Sequence, residues 1–396
     1  MSSSGKVNSS YTFHNEVKLL RGGIDFFNEL DSLIKKAQKT IQIQIYIFDE
    51  DQTGTSVIHA LKSASLRGVR IQLLLDGYAS RKFSKDTVKE LRSLGMQFRF
   101  FDPLLTKGNF YFGRRLHHKI VVCDEQYALV GGLNISDRYN DLPGSPAWLD
   151  WAIRVQGEAT IGLAKICNQR FYKKQNPQYH YQSLQPETNI PVLQGNCPVR
   201  IRQNDWIQRK NQISATYMEM MKQAKSEIII MSSYFIPGAF FRRNIIKALA
   251  RGVKIKLILA GISDVGISKY AERHLYHWAL KNGMEIFEYQ HNVLHGKMAV
   301  CDRKMTTIGA YNINDLSALA SIELNLDIDQ KEFALMAVRV LEQIIENDCI
   351  QISPEQYLKQ MGLVEKSLHW ISYEIVRALM KMFTFYFRKE KNNGSA

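Results

Sequence analysis

Isoleucines alternate with other residues at Ile41, Ile43, Ile45 and Ile47, a period of two that predicts a strand. A stretch with apolar residues at helical spacing follows and ends at Arg67-Gly68, where glycine just past the last turn is a helix stop. A second apolar run, Val69 to Leu75, predicts another strand. The same order returns later. Residues 221–261 carry Ile228, Ile229 and Ile230, then a helix ending at Arg251-Gly252, then an apolar run from Val253 to Leu259. Further on, Leu94-Gly95-Met96 answers Asn282-Gly283-Met284, and Leu116-His117-His118-Lys119 answers Leu294-His295-Gly296-Lys297. Strands alternating with helices predict an α/β fold with parallel or mixed sheets. Copies 178 positions apart (295 − 117) are too distant for solenoid repeats, so two homologous α/β lobes are expected, over 18–185 and 186–350. Residues 173–191, rich in Gln, Asn, Pro and Tyr, read as the linker, and 1–17 as a polar lead-in.

The C-terminal pattern is different. Leu368, Ile371, Ile375, Leu379, Met382 and Tyr386 fall at helical spacing, with Trp370, Phe383, Phe385 and Phe387 adding aromatics. Arg377, Lys381, Arg388 and Lys389 add positive charge. Glu374, Arg377 and Lys381 make a membrane span costly. Residues 351–396 are therefore expected to hold an amphipathic helix lying on an anionic membrane, with docking on the protein core as the other reading.

Composition narrows the class. The chain has 396 residues, 45% hydrophobic and 23% charged, which suits a globular protein of two or three domains and excludes wholesale disorder. No uncharged apolar run of about 18 residues appears, and the Ser-rich start lacks the apolar run of a secretory signal. A net charge of +14 calls for an anionic partner: nucleic acid, a membrane surface or a phosphorylated substrate. Five cysteines without a CxxC pair argue against a disulfide framework or zinc ribbon and for a reducing compartment.

The chemistry sits in the repeat. His117, Lys119, Asp124 and Asn134 recur at identical offsets as His295, Lys297, Asp302 and Asn312. Gly131-Gly132 corresponds to Gly309-Ala310. Of ten histidines, only His117 and His295 have lysine two positions on. Runs 116–122 and 294–300 are expected to be strands, in which His and Lys share one face. The imidazole can act as nucleophile or general acid, and the ammonium can hold a phosphate oxygen. Two half-sites facing each other would place two histidines and two lysines around one phosphodiester. One histidine would attack phosphorus and the other would handle the proton of the alcohol. Lysine is no metal ligand at this spacing and no carboxylate cluster accompanies it, so no metal or cofactor is expected.

This pattern resembles the phospholipase D superfamily, with its two HxKxxxxD motifs followed by Gly-Gly/Ser-x-Asn. The resemblance covers about 30–350, is greatest to bacterial cardiolipin synthases without N-terminal membrane spans, and includes Trp148-Leu149-Asp150 and Tyr234-Phe235-Ile236-Pro237-Gly238. It implies a pseudo-twofold phospholipase D-like fold and a phosphohistidine intermediate, with His117 as nucleophile and His295 as acid/base. It implies that Lys119, Lys297, Asn134 and Asn312 bind the phosphoryl group. It assigns acids that orient the histidines: Asp150, 33 residues after His117 (150 − 117), and Glu323, 28 after His295 (323 − 295). Asp124 and Asp302 complete the motifs and are read as bracing groups. Ala310, where Gly or Ser is usual, removes a hydroxyl donor.

The resemblance implies transfer of a phosphatidyl group between phospholipids, phosphatidylglycerol giving cardiolipin and glycerol, by a protein peripheral to the cytoplasmic face of a bacterial inner membrane. A phospholipase D-type hydrolase or a nuclease of the same superfamily is the alternative, and an anionic-lipid-binding adaptor is the non-enzymatic one. Charge suits nucleic acid equally well; the apolar-basic terminal helix favours lipid. Around the motifs, Phe110, Tyr111, Phe112, Arg114 and Arg115 are candidates for lipid contact, as are Phe240, Phe241, Arg242 and Arg243. His118 should point away from the site. His274 and His277 share a helix face and read as a solvated or partly buried pair rather than a metal site.

Overall fold

The computed structural model describes residues 10–103, 105–106, 109–110, 115–172, 181–184, 196–314, 317–318, 321–355, 357 and 362–393. Tyr111, Phe112, Arg114 and most of the linker lie outside them.

The first sheet uses β1 (Asn15–Arg21), β2 (Thr40–Ile45), β3 (Arg70–Asp76), β4 (Gln97–Phe101), β5 (Lys119–Cys123), β6 (Tyr127–Gly131) and β7 (Trp151–Gly157), in spatial order β1-β7-β6-β5-β2-β3-β4. The second uses β8 (Val199–Asp205), β9 (Glu227–Ser232), β10 (Lys254–Ile262), β11 (Glu285–Val293), β12 (Met298–Cys301), β13 (Met305–Gly309) and β14 (Ser321–Asp329), in the matching order β8-β14-β13-β12-β9-β10-β11. In each, three strands run parallel (β2-β3-β4; β9-β10-β11) and the rest pair antiparallel, so the sheets are mixed. The second sheet has ten strands because Lys210–Asn211, Cys349–Gln351 and Arg115–Leu116 join it. Arg115–Leu116 comes from the first lobe and pairs parallel to β14. The expected polar lead-in is shorter than 1–17, since β1 begins at Asn15 and Thr12 pairs with Val199.

Helices α1 (Ile24–Lys36), α2 (Gln52–Leu66) and α3 (Lys85–Ser93) belong to the first lobe, and α4 (Glu158–Tyr172) follows β7. Helices α5 (Gln212–Gln223), α6 (Ala239–Leu249), α7 (Gly266–Lys281) and α8 (Lys331–Asp348) repeat the plan. Gly68 and Gly252, just past α2 and α6, have φ of 88° and 86°, the left-handed stop their sequence signals.

Both sheets are covered on two faces. The central core joins Ile120, Val130 and Ile153 of the first sheet to Met298, Ile308 and Leu326 of the second, with α4 and α8. Separate cores lie under α1–α3 and under α5–α7. In β2 the polar residues between the isoleucines do not face solvent. Instead Gln42 and Gln44 are buried and satisfied, Gln42 donating to Gln72 (3.1 Å) and Gln44 to the Cys167 carbonyl (2.9 Å).

Helix α9 (Leu363–Asn393) packs on α7. Val376 and Tyr373 meet Ala271, Leu275 and Ile236, and Tyr373 stacks on His274 with ring centroids 4.8 Å apart. Another stripe of the same helix stays exposed: Leu368, Ile371, Ile375, Leu379 and Met382. The helix thus both docks on the core and keeps an uncovered apolar face.

Candidate active site

His117 and Lys119 do not share a strand, because β5 begins only at Lys119; His295 and Lys297 likewise precede β12. The cause is cross-lobe backbone pairing. The His117 N–H donates to the Ile322 carbonyl (3.0 Å), and the His295 N–H to the Leu149 carbonyl (2.8 Å). Each acceptor precedes an acid: Glu323 and Asp150.

The side chains follow the same crossing. His117 Nδ1 lies 2.7 Å from Glu323 Oε2, and His295 Nδ1 lies 2.6 Å from Asp150 Oδ2. The acids therefore orient the histidine of the opposite lobe, a pairing that the sequence offsets leave open. Each histidine is held at two points, backbone and ring, by one short segment of the other lobe. Nδ1 donates to the carboxylate and Nε2 is left as the reacting nitrogen.

The carboxylates are fully buried. Asp150 Oδ1 also accepts the Trp151 N–H (2.7 Å). A Cβ on Gly132 would meet this Oδ1 at 2.3 Å, so the glycine makes room for the carboxylate. At the equivalent Ala310 the acid is Glu323, whose arm is one methylene longer.

Lys119 and Lys297 are buried beside the histidines. Lys119 Nζ donates to the His117 carbonyl (3.2 Å) and sits 5.0 Å from the centre of the Tyr46 ring. Lys297 Nζ bonds the His295 carbonyl and lies 2.9 Å from His295 Nδ1. Burial pulls the ammonium of Lys119 down to about 7 and that of Lys297 to about 8, against the nearby Glu323 and Asp150. Burial, reinforced by the lysines, keeps His117 well below the usual histidine range and His295 at about 4. Burial pushes the Glu323 carboxyl up to about 8, against Lys119 and Lys297. His117 feels Lys297 and Asp150 of the other half-site, so the two halves form one electrostatic unit.

Asp124 and Asp302 stand at the far ends of β5 and β12, about 13–16 Å of strand away. Asp124 accepts the N–H groups of Gln38, Lys39 and Thr40, and Asp302 those of Lys225, Ser226 and Glu227. They tie each hairpin to the start of β2 or β9 and do not enter the site. Asn134 accepts the Ile47 N–H (3.0 Å) and donates to the Tyr139 hydroxyl (2.8 Å). Asn312 accepts from the Ser233 hydroxyl (2.8 Å). His118 turns inward, buried against Gln44 Oε1 (2.9 Å). Arg115, a lipid-contact candidate, lies 3.5 Å from Asp76 instead.

Four residues to which the sequence reading gave no site role support the histidines. Tyr46 stands edge-on to His117 (4.8 Å), and Tyr139 and Trp148 frame His295 (5.3 and 6.1 Å). Asp76 accepts the Leu116 N–H (2.8 Å) and fixes the approach to His117. Its signal was an acid ending an apolar strand ahead of Gly77. Among the described residues no cluster of three or more His, Cys, Asp or Glu is arranged for a metal.

The chain matches the family described as "Cardiolipin synthase, PLD-like domain" over residues 30–144 and 217–345. It is 34% identical over 350 residues to cardiolipin synthase B of Salmonella typhi, covering 87% of this chain and 84% of that one. Identity to cardiolipin synthase B of Escherichia coli K12 is 34% over 346 residues, covering 85% and 82%. A solved phosphatidylserine synthase from Haemophilus influenzae shares the fold, with a TM-score of 0.73 at 14% identity over 95% of this chain and 97% of that one.

Proposed function

The chain belongs to the cardiolipin synthase, PLD-like family, and we propose that it is a phosphatidyltransferase that converts phosphatidylglycerol to cardiolipin and glycerol. His117 Nε2 attacks the phosphorus of a donor phospholipid. The phosphorus–oxygen bond to the headgroup breaks, His295 gives the leaving glycerol its proton, and phosphatidyl-His117 remains. The terminal hydroxyl of a second phosphatidylglycerol then enters, His295 takes its proton, and the phosphorus–nitrogen bond breaks. Water entering instead gives phosphatidic acid. Lys119 and Lys297 carry the charge on the phosphoryl oxygens, with Asn312 as a further donor. Asp150 and Glu323 position the rings. The observation that carries this reading is the crossed pair of His–carboxylate contacts with a buried lysine beside each histidine.

The test is phosphatidylglycerol in mixed micelles, with and without chelator, and lipid products read by mass spectrometry. Cardiolipin from the wild type, unaffected by chelator and reduced at least about 10³-fold in His117→Ala and His295→Ala, is expected. Phosphatidic acid alone would make the protein a hydrolase. Absence of lipid turnover with cleavage of single-stranded DNA would make it a nuclease.

We place the protein peripherally on an anionic membrane, at the cytoplasmic face of a bacterial inner membrane. No helix among the described residues is long and apolar enough to cross one. The uncovered stripe of α9 supports the surface mode, joined by exposed Ile262, Val265, Ile267 and Tyr270 where α7 begins. Replacing Ile371, Ile375 and Leu379 together by serine should weaken sedimentation with phosphatidylglycerol vesicles by about tenfold or more. Unchanged sedimentation would assign the stripe another role.

A further inference from the structure

The first and second helices of each lobe enclose a cleft, and the two clefts are chemical opposites. The one between α1 and α2 is about 280 Å3 and has Asp31 and Asp141 but no lysine or arginine in its lining. There the protein supplies its own anions at the helix starts. Asp141 accepts the Ile24 N–H at the head of α1 (3.0 Å), and Asp51 accepts the Gly54 N–H at the head of α2 (3.0 Å). The cleft between α5 and α6 is about 950 Å3 and is lined by Arg209, Lys210 and Lys222. Among the described residues its only acid is Glu219, which is already held by Arg200 (2.9 Å) and Arg202 (3.1 Å). The N-cap residues of α5 and α6, Asn211 and Gly238, make no side-chain cap bond and neither first turn holds an acid; in α5 the neutral Asn204 Oδ1 accepts the Ile213 N–H (3.0 Å), and both starts line the cleft.

Two further features point to a ligand. Asn314, 9% exposed, lines the cleft; its Oδ1 accepts the Ser317 N–H (2.8 Å), and its amide nitrogen has no acceptor among the described residues. The walls are apolar, with Met218, Phe241 and Ile313, and Phe240 stands 62% exposed on the rim. Cations with a spare amide donor match a phosphate, and the apolar wall matches hydrocarbon attached to it. We infer that this cleft is an accessory site for one anionic phospholipid, separate from the catalytic histidines. The segment from Tyr311 to Asn314 is shared between the two places: Asn312 bonds Ser233 on the catalytic side, while Tyr311 and Ile313 line the cleft. Occupancy therefore bears on the half-site of His295.

The inference goes beyond the transferase reading and does not need it. The test is calorimetric titration of the full chain with dihexanoyl-phosphatidylglycerol below its micelle concentration. Arg209→Gln/Lys222→Gln should bind one equivalent fewer than wild type, or bind that equivalent at least about tenfold more weakly. The difference is counted whether or not the catalytic site binds, so failure of either reading shows separately. Arg209→Lys should retain the site, and Ala215→Trp should lose it by filling the cleft. Dihexanoyl-phosphatidylcholine should not occupy it. Equal stoichiometry and affinity in wild type and the double variant overturns the inference. So does inorganic phosphate binding as tightly as the lipid, or an oligothymidylate taking the place of the lipid.

Discussion

The two half-sites hold their histidines with carboxylates of different length. Strand register makes Gly131 and Gly309 equivalent, and with them Ala152 and Asn325, so Asp150 and Glu323 occupy matching places. In the half around His295 the arm is short, and Gly132 leaves it room. In the half around His117 the arm is longer, and Ala310 is tolerated. Aromatic rings press on His295 from two sides but on His117 from one. A twofold plan has thus been kept in backbone and broken in side chains, which suits the two different roles proposed for the histidines.

The largest effects should come from the acids. Asp150→Asn and Glu323→Gln are each expected to lower phosphatidyl transfer about 10²–10⁴-fold. A phosphatidyl ester of p-nitrophenol separates them, because its leaving group needs no proton. Asp150→Asn, acting through His295, should recover most of its first-step rate on that ester, whereas Glu323→Gln, acting through His117, should not. The reverse result would exchange the two roles. A smaller effect is expected at the glycine. Gly132→Ala displaces Asp150 and should cost about 10- to 100-fold in kcat, while Ala310→Gly should stay within about threefold. Equal losses would mean that the arms are not matched to their neighbours. Smallest is the pH response. Lys119 and Lys297 hold phosphate only when protonated, and they lose protons near 7 and 8 in the free protein. The profile of kcat/KM should therefore fall as pH rises through that window, by about tenfold per unit per lysine at most. On the acid side it should fall as the imidazole of His117, held well below the usual histidine range by burial and the nearby lysines, takes a proton and loses its nucleophilic lone pair. Lys119→Arg should flatten the alkaline limb; an unchanged limb would remove the lysine from phosphate binding.

Much of this was legible in the sequence. Identical offsets from His117 to Asn134 and from His295 to Asn312 announced two lobes and one paired site. The pairing of acids was not legible. Asp150 lies as plausibly near its own His117 as near His295, and only the tertiary crossing of Leu149 and Ile322 decides. The strand starts were misplaced for the same reason, since His117 spends its N–H on another lobe. In the terminal helix the spacing showed one apolar face, but Val376 and Tyr373 form a second one that only the partner α7 reveals.

The crossing also has a consequence in time. A ribosome releases the first lobe, with His117 and Asp150, well before residues 295 and 323 exist. His117 then lacks its carboxylate, and β14, the strand that Arg115–Leu116 joins, has yet to be made. The site is therefore incomplete until β14 has been made and paired.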